Sequence, residues 1–271
     1  MVSDKIKWLV ITDLDGSLLN HYDYGFDAAL PAIGQLKKYS IPLILNTSKT
    51  YYETVEISRE LDISFPFIVE NGSSIYLPKK SFTELPSSFA GTRDNYWVIK
   101  LGSSVQEINR YLGLLVSDTD DFTLLSECSS SEVSKLTGVS ITQSENAVKR
   151  EFSQPMLWNG SDEQLADFVT RLEKQGLTLL QGGRFLHIQG KTNKGMAIKK
   201  LKTFYSNSVK TVVIGDSAND KAMLEVADIS IVINAPGNKY LLKNFKPHYL
   251  TEEIAPKGWS EAIQYAFKRM I

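Results

Sequence analysis

Short apolar runs alternate with longer stretches of helical periodicity along the first part of the chain. Trp8–Thr12 reads as a buried strand. Ala28–Tyr39 sets Ala29, Ile33 and Leu36 on one helical face. Pro42-Leu43-Ile44-Leu45 is a second apolar run, ending in Asn46-Thr47-Ser48-Lys49. A helix is predicted over Tyr51–Leu61, then a third strand, Phe67–Val69, ahead of Asn71-Gly72. Short apolar strands separated by helices of about a dozen residues predict βαβ units and a parallel sheet.

The pattern changes near residue 85. Pro86-Ser87-Ser88 and Gly91 read as a polar linker, Tyr96–Leu101 as a half-exposed strand, and Val105–Leu115 as a helix. Ser129 with Glu132, and Ser161 with Gln164, carry capping-box spacing and predict helix starts. The second of these helices runs to Gln175 and stops at Gly176, a residue suited to the left-handed C′ position. Leu177–Gln181 and Phe185–Gln189 then predict a hairpin across Gly182-Gly183-Arg184. From Asn193 the first pattern resumes. A helix is expected from Lys194 to Phe204, a strand over Thr211–Ile214, a helix over Asp220–Ala227 and a strand over Ile229–Ile233. Pro256-Lys257-Gly258-Trp259 opens a final helix. The expected class is α/β: a Rossmann-like parallel-sheet core, residues 1–84 and 191–271, split by an inserted α+β cap domain at 85–190. Lids are commonly attached in this way.

Composition narrows the class of function. The chain has 271 residues and a net charge of −1, which gives no electrostatic footprint for nucleic acid. Lysines around 191–202 read as the solvated face of a helix. Cys128 is the single cysteine, so no internal disulfide forms and a reducing compartment is expected. The first apolar run is too short for a secretory h-region, and no stretch is long enough to span a bilayer. The expectation is a cytoplasmic protein without membrane or nucleic-acid partners.

Two acidic clusters carry the chemistry. Asp13-Leu14-Asp15-Gly16-Ser17 follows the first strand, and carboxylates at i and i+2 of extended chain face one side. Gly215-Asp216-Ser217-Ala218-Asn219-Asp220 follows the Thr211 strand in the same way. Ligands of parallel α/β sheets bind beyond the carboxyl ends of the strands, which would gather Asp13, Asp15, Asp216 and Asp220 at one edge. Like charges that close need a cation or a shared proton, and an all-oxygen set suits Mg2+. Plainer readings exist: solvated acids in a turn, a helix cap at Asp216, Asn219 and Asp220, and an ST-type cap of the Tyr51 helix at Thr47 and Ser48. Lys194 lies in the first turn of its helix, where the dipole disfavours a cation, which points to a functional duty. Asp118, Asp120 and Asp121 read as a solvated loop, while His21 and Tyr22 would line the cleft.

Asp13-x-Asp15-Gly16-Ser17, Thr47-Ser48, Lys194-Gly195 and Gly215-Asp216-x-x-Asn219-Asp220, in that order, resemble the motifs of the haloacid dehalogenase superfamily of phosphotransferases. Ser17 stands where many relatives have threonine. Within the superfamily the chain is most similar to mannosyl-3-phosphoglycerate phosphatases. The likeness rests on Ser48-Lys49-Thr50, Glu70-Asn71-Gly72, the segment Lys149-Arg150-Glu151-Phe152-Ser153-Gln154-Pro155, Gly182-Gly183-Arg184-Phe185-x-His187 and Pro256-x-Gly258-Trp259. The resemblance implies Asp13 as nucleophile, Asp15 as general acid/base, and Thr47 and Lys194 on the phosphate. It implies Mg2+ held by Asp13, Asp15 (through its carbonyl), Asp216, Asn219 and Asp220. It further implies a sugar-glycerate phosphate substrate contacted by Ser48, Asn71, Gly72, Arg150, Ser153, Arg184 and His187. Planar guanidinium groups at Arg150 and Arg184 suit the glycerate carboxylate; His187 serves packing equally well. The same motifs would serve a glucosyl-phosphoglycerate or other sugar-phosphate phosphatase, a phosphomutase, or a non-enzymatic phosphoacceptor.

Overall fold

The computed structural model describes residues 6–86, 88–117, 120–182, 185–236 and 238–270. Ser87 of the expected linker, Asp118 of the acidic loop, and Gly183 and Arg184 of the expected hairpin turn lie outside these residues.

In chain order the strands are β1 (Trp8–Thr12), β2 (Leu43–Asn46), β3 (Phe67–Val69), β4 (Ser74–Pro78), β5 (Gly91–Arg93), β6 (Tyr96–Lys100) and β7 (Phe122–Leu124). They continue with β8 (Ser153–Trp158), β9 (Leu177–Gln181), β10 (Leu186–Gly190), β11 (Lys210–Gly215), β12 (Ile229–Val232) and β13 (Tyr249–Leu250). The helices are α1 (Leu30–Lys38), α2 (Tyr51–Glu60), α3 (Val105–Leu115), α4 (Ser130–Thr137), α5 (Ile141–Ala147), α6 (Asp162–Lys174), α7 (Lys194–Lys202), α8 (Lys221–Leu224), α9 (Lys239–Asn244) and α10 (Lys257–Met270).

Nine strands form one sheet in the order β13-β12-β11-β1-β2-β3-β4-β6-β5. From β13 to β3 the neighbours are parallel; β4, β6 and β5 are antiparallel. β1 is apolar throughout because both its faces are covered. Val10 packs with Ile33 and Leu36 of α1 and Trp259 and Ile263 of α10, whereas Leu9 and Ile11 pack with Ile198 and Leu201 of α7 and Met223 and Leu224 of α8. Thr12 stands opposite Ile214 on one side and Leu45 on the other, so three strands end level and their following loops share one edge. Trp259, fully buried, donates from Nε1 to Thr12 Oγ1 at 3.0 Å just below that edge.

A second, four-stranded antiparallel sheet runs β7-β8-β10-β9, with α3 and α6 packed on it through Ile108, Leu112, Phe168 and Leu172. β5 and β6, which lie beyond residue 85, pair onto the large sheet rather than this one. Both crossings between the sheets touch the turn after β3: Leu101 N and Gly102 N donate to Ser73 O, and Thr192 Oγ1 donates to Gly72 O. Among the described residues, no helix is long and apolar enough to cross a membrane.

Candidate active site

The level strand ends place Asp13 directly after β1 and Asp216 directly after β11, with Asp13 N donating to Ile214 O at 2.9 Å. Asp220 turns back over this junction, and its Oδ2 accepts from the backbone N–H of Asp216 (3.0 Å) and Ser217 (3.2 Å). The helix-cap reading of Asp216, Asn219 and Asp220 is thus met at Asp220, in a capping box with Ser217. Oxygens of Asp13, Asp216 and Asp220 lie within 4.8 Å of one another, and all three residues are buried. Gly16 makes this approach feasible. It sits at φ +80°, and a Cβ there would stand 2.7 Å from Asp216 Oδ2.

Lys194 enters from the first turn of α7, 1% exposed, and its Nζ touches Asp13 Oδ1 at 2.6 Å and Asp220 Oδ1 at 2.7 Å. Those two carboxylates hold the ammonium above its ordinary pKa although burial opposes this. Asp216 Oδ1 accepts from Ser17 Oγ at 3.0 Å. One cation against three buried carboxylates leaves an excess of negative charge. Burial, helped by Asp220 and Asp15, pushes Asp13 up to about 7 despite Lys194. Burial together with Asp220 and Asp13 raises Asp216 well above the usual carboxylate range. Carboxylates this close, all offering oxygen and short of positive charge, fit a hard divalent cation.

Asp15 stands apart from this trio. Its carboxylate pairs with Lys49 at 2.9 Å, while Lys49 also reaches Glu53 at 3.9 Å and lies 4.9 Å from the Tyr24 ring centre. Burial pulls Lys49 down, but Asp15 and Glu53 outweigh it and keep the ammonium charged. Asn219 lines the same cleft, its Oδ1 accepting from Ser217 Oγ at 2.5 Å. After β2, Ser48 lines the cleft, while Thr47 is fully buried and its Oγ1 accepts from Lys49 N at 3.1 Å. The cap of α2 is Thr50 in a capping box with Glu53, which leaves Thr47 and Ser48 out of that duty.

The groups expected on the substrate divide in two. Arg150 and His187 line the cleft opposite Asp13, Asp15 and Asp216. Arg150 Nη1 donates to Ser48 O at 2.8 Å, bridging the two sheets' halves of the molecule. His187 is 5% exposed with no partner at Nδ1, and burial beside Arg150 lowers its pKa to about 3, so it is neutral. Asn71, Gly72 and Ser153 do not line the cleft. Asn71 donates its N–H to Thr47 O at 3.0 Å, and Gly72, at φ +90°, abuts Asn193, where a Cβ would sit 2.3 Å from the carbonyl oxygen. These two brace the Thr47 turn and the start of α7. Ser153 Oγ donates to Glu70 Oε2 at 2.6 Å. Arg184 lies outside the described residues.

Sequence reasoning left Glu70 without a role. It is 1% exposed at φ 47°, and its carboxylate accepts from Glu151 N (2.9 Å), Phe152 N (3.1 Å) and Ser153 Oγ. A core carboxylate thus clasps the segment that joins Arg150 to β8. No local pattern announces such a bond, because its partners are some eighty residues away. Lys49 was legible as part of a motif, but its pairing with Asp15 was not.

Strand order, level acids and a buried lysine define a class of hydrolase, and the chain belongs to the haloacid dehalogenase-like hydrolase family, which matches residues 10–241. It is 35% identical over 262 residues to a glucosyl-3-phosphoglycerate/mannosyl-3-phosphoglycerate phosphatase of Persephonella marina, covering 94% of this chain and 95% of that protein. A protein of the same name from Methanococcoides burtonii is 35% identical over 266 residues, covering 95% and 96%. In fold the chain is similar to a haloacid dehalogenase-like hydrolase from B. subtilis (TM-score 0.65, 17% identity, 97% and 99% of the two chains). It is also similar to the sucrose-phosphatase of Synechocystis (TM-score 0.62, 14% identity, 96% and 98%).

Proposed function

We propose that this chain is a Mg2+-dependent phosphatase that releases phosphate from a glycosyl-3-phosphoglycerate, glucosyl or mannosyl, through an aspartyl-phosphate intermediate. The observation that carries the reading is the meeting of Asp13, Asp216, Asp220 and Lys194 at the strand ends. The two relatives named for both sugars support the substrate class.

Asp13 attacks phosphorus in line; its P–O bond forms as the bond to the glycerate oxygen breaks. Asp15 gives that oxygen a proton. It then takes one from the water that displaces Asp13, and inorganic phosphate leaves. Lys194 holds Asp13 and offsets the charge of the incoming phosphate, and hydroxyls of Thr47 and Ser48 at the end of β2 meet its oxygens. Asp13, Asp216 and Asp220, with Asn219 and the Asp15 carbonyl, would hold Mg2+, which when bound neutralises charge on the phosphoryl group. Arg150 faces the glycerate carboxylate from the cap.

Phosphate release is measured across a panel of phosphomonoesters with Mg2+ and with chelator. Fast release from glycosyl-3-phosphoglycerates that is lost in Asp13→Asn and in chelator is expected; equal rates for wild type and Asp13→Asn would falsify the assignment.

A further inference from the structure

The cleft over Asp13 has two arms of unlike chemistry. The first, about 220 Å³, holds the cations Lys49 and Arg150 beside Asp13, Asp15 and Glu53; Lys49 is paired with Asp15, whereas Arg150 bonds carbonyl and hydroxyl oxygens. The second, about 450 Å³, runs between the loop after β1, the loop after β12 and the end of β9, and falls in the range of small-molecule sites. They meet at His21, Asp216, Ser217 and Asn219, which line both. Apart from Asp216 at this junction, no Asp, Glu, Lys or Arg among the described residues lines the second arm. Its walls are neutral amides, Gln181 and Asn234, and apolar surface from Tyr22 (75% exposed), Ala235 and Ile254 (48% exposed). The loops are fixed: Asn20 Nδ2 donates to Ala255 O, and Asn234 Nδ2 donates to Glu252 O at 3.0 Å.

A glycosyl-3-phosphoglycerate has a matching fork. With its phosphate at Asp13, the neighbouring carbon carries two branches, a carboxylate and a glycosyl group. The carboxylate needs a counter-charge, which the first arm has and the second, among the described residues, lacks. A hexosyl ring is neutral, with hydroxyls for amides and C–H faces for apolar surface, which suits the second arm. We propose that the second arm, between the β1, β12 and β9 loops, seats the glycosyl group while the Lys49–Arg150 arm takes the carboxylate. This rests on the phosphatase reading above.

The test compares kcat/KM for glucosyl-3-phosphoglycerate and mannosyl-3-phosphoglycerate with that for bare 3-phosphoglycerate. Ala235→Phe, which narrows the second arm, is expected to lower the glycosylated-to-bare ratio by roughly tenfold or more. Asn234→Ala, which removes an amide and widens the arm instead of narrowing it, is expected to lower it by roughly threefold to tenfold. Circular dichroism checks that each variant is folded. An unchanged ratio in the folded variants overturns the sugar assignment and leaves the phosphatase reading intact. Failure of the wild type to hydrolyse any of the three sinks that reading, and this inference with it.

Discussion

The acid cluster at the sheet edge and the Arg150–His187 face opposite it are built on different principles. At the sheet edge, level strand ends and the start of α7 bring together charged groups from positions 13, 194, 216 and 220, and Lys194 bonds Asp13 and Asp220 directly. Across the cleft, Arg150 is held by the carbonyl oxygens of Ala147 and Ser48 and by Ser153 Oγ, and the residues that follow it are clasped by Glu70. The acid cluster is fixed at the sheet edge, and Arg150 by bonds that cross between the two sheets. A rigid edge suits chemistry that tolerates little misplacement, whereas a bridged face suits discrimination among leaving groups.

The contrast predicts graded losses. Asp13→Asn is expected to cut kcat by roughly 10⁴-fold or more, measured as phosphate release. Lys194→Met removes the cation between two buried carboxylates and is expected to cost roughly 10²- to 10³-fold in kcat. Thermal unfolding should show about 3 kcal/mol of lost stability for this variant, since a broken buried pair leaves its partners unpaired. Unfolding at neutral pH indistinguishable from wild type would mean the edge is less rigid than its bonds imply. On the cap face, Arg150→Ala should raise KM roughly tenfold for a glycerate-bearing substrate and far less for an aryl phosphate. Equal losses would make Arg150 structural. Glu70→Ala strands the N–H groups of Glu151 and Phe152 and should cost about 2 kcal/mol by chemical denaturation, with Glu70→Gln intermediate.

The smallest effect concerns pH. Folded His187 stays neutral down to about pH 3, whereas the unfolded side chain takes a proton below its ordinary 6.5. Between these values the unfolded state binds more protons, so stability falls as pH falls. The loss from this residue one unit below that ordinary value is about 1 kcal/mol, and His187→Gln should flatten the slope of unfolding free energy between pH 6.5 and 5. An identical slope would assign the acid sensitivity to other groups.

Legibility in the sequence followed burial on both faces. β1, β2, β3, β11 and β12 are covered on two sides and read as unbroken apolar runs. β4 escaped because it follows a turn-like Asn71-Gly72 and ends in Pro78. β8 escaped because Pro155 argues against a strand. It is accommodated because β7 pairs only with Met156, Leu157 and Trp158, leaving Pro155 open on that side. The acids and Lys194 were legible because each follows a strand or opens a helix. Asn71, Gly72 and Ser153, expected at the substrate, do not line the cleft; they brace the turn and the clasp. Glu70 was hidden by its left-handed backbone and distant partners.

The turn at Gly72-Ser73 receives both passages of chain between the two sheets, and Gly72 presses on the residue that starts the helix bearing Lys194. Both passages thus rest on one turn, which lies against the residue just before Lys194. A side chain at position 72 would meet the backbone of Asn193 and Lys194 before anything else, so this turn and the seat of one ammonium group share a wall.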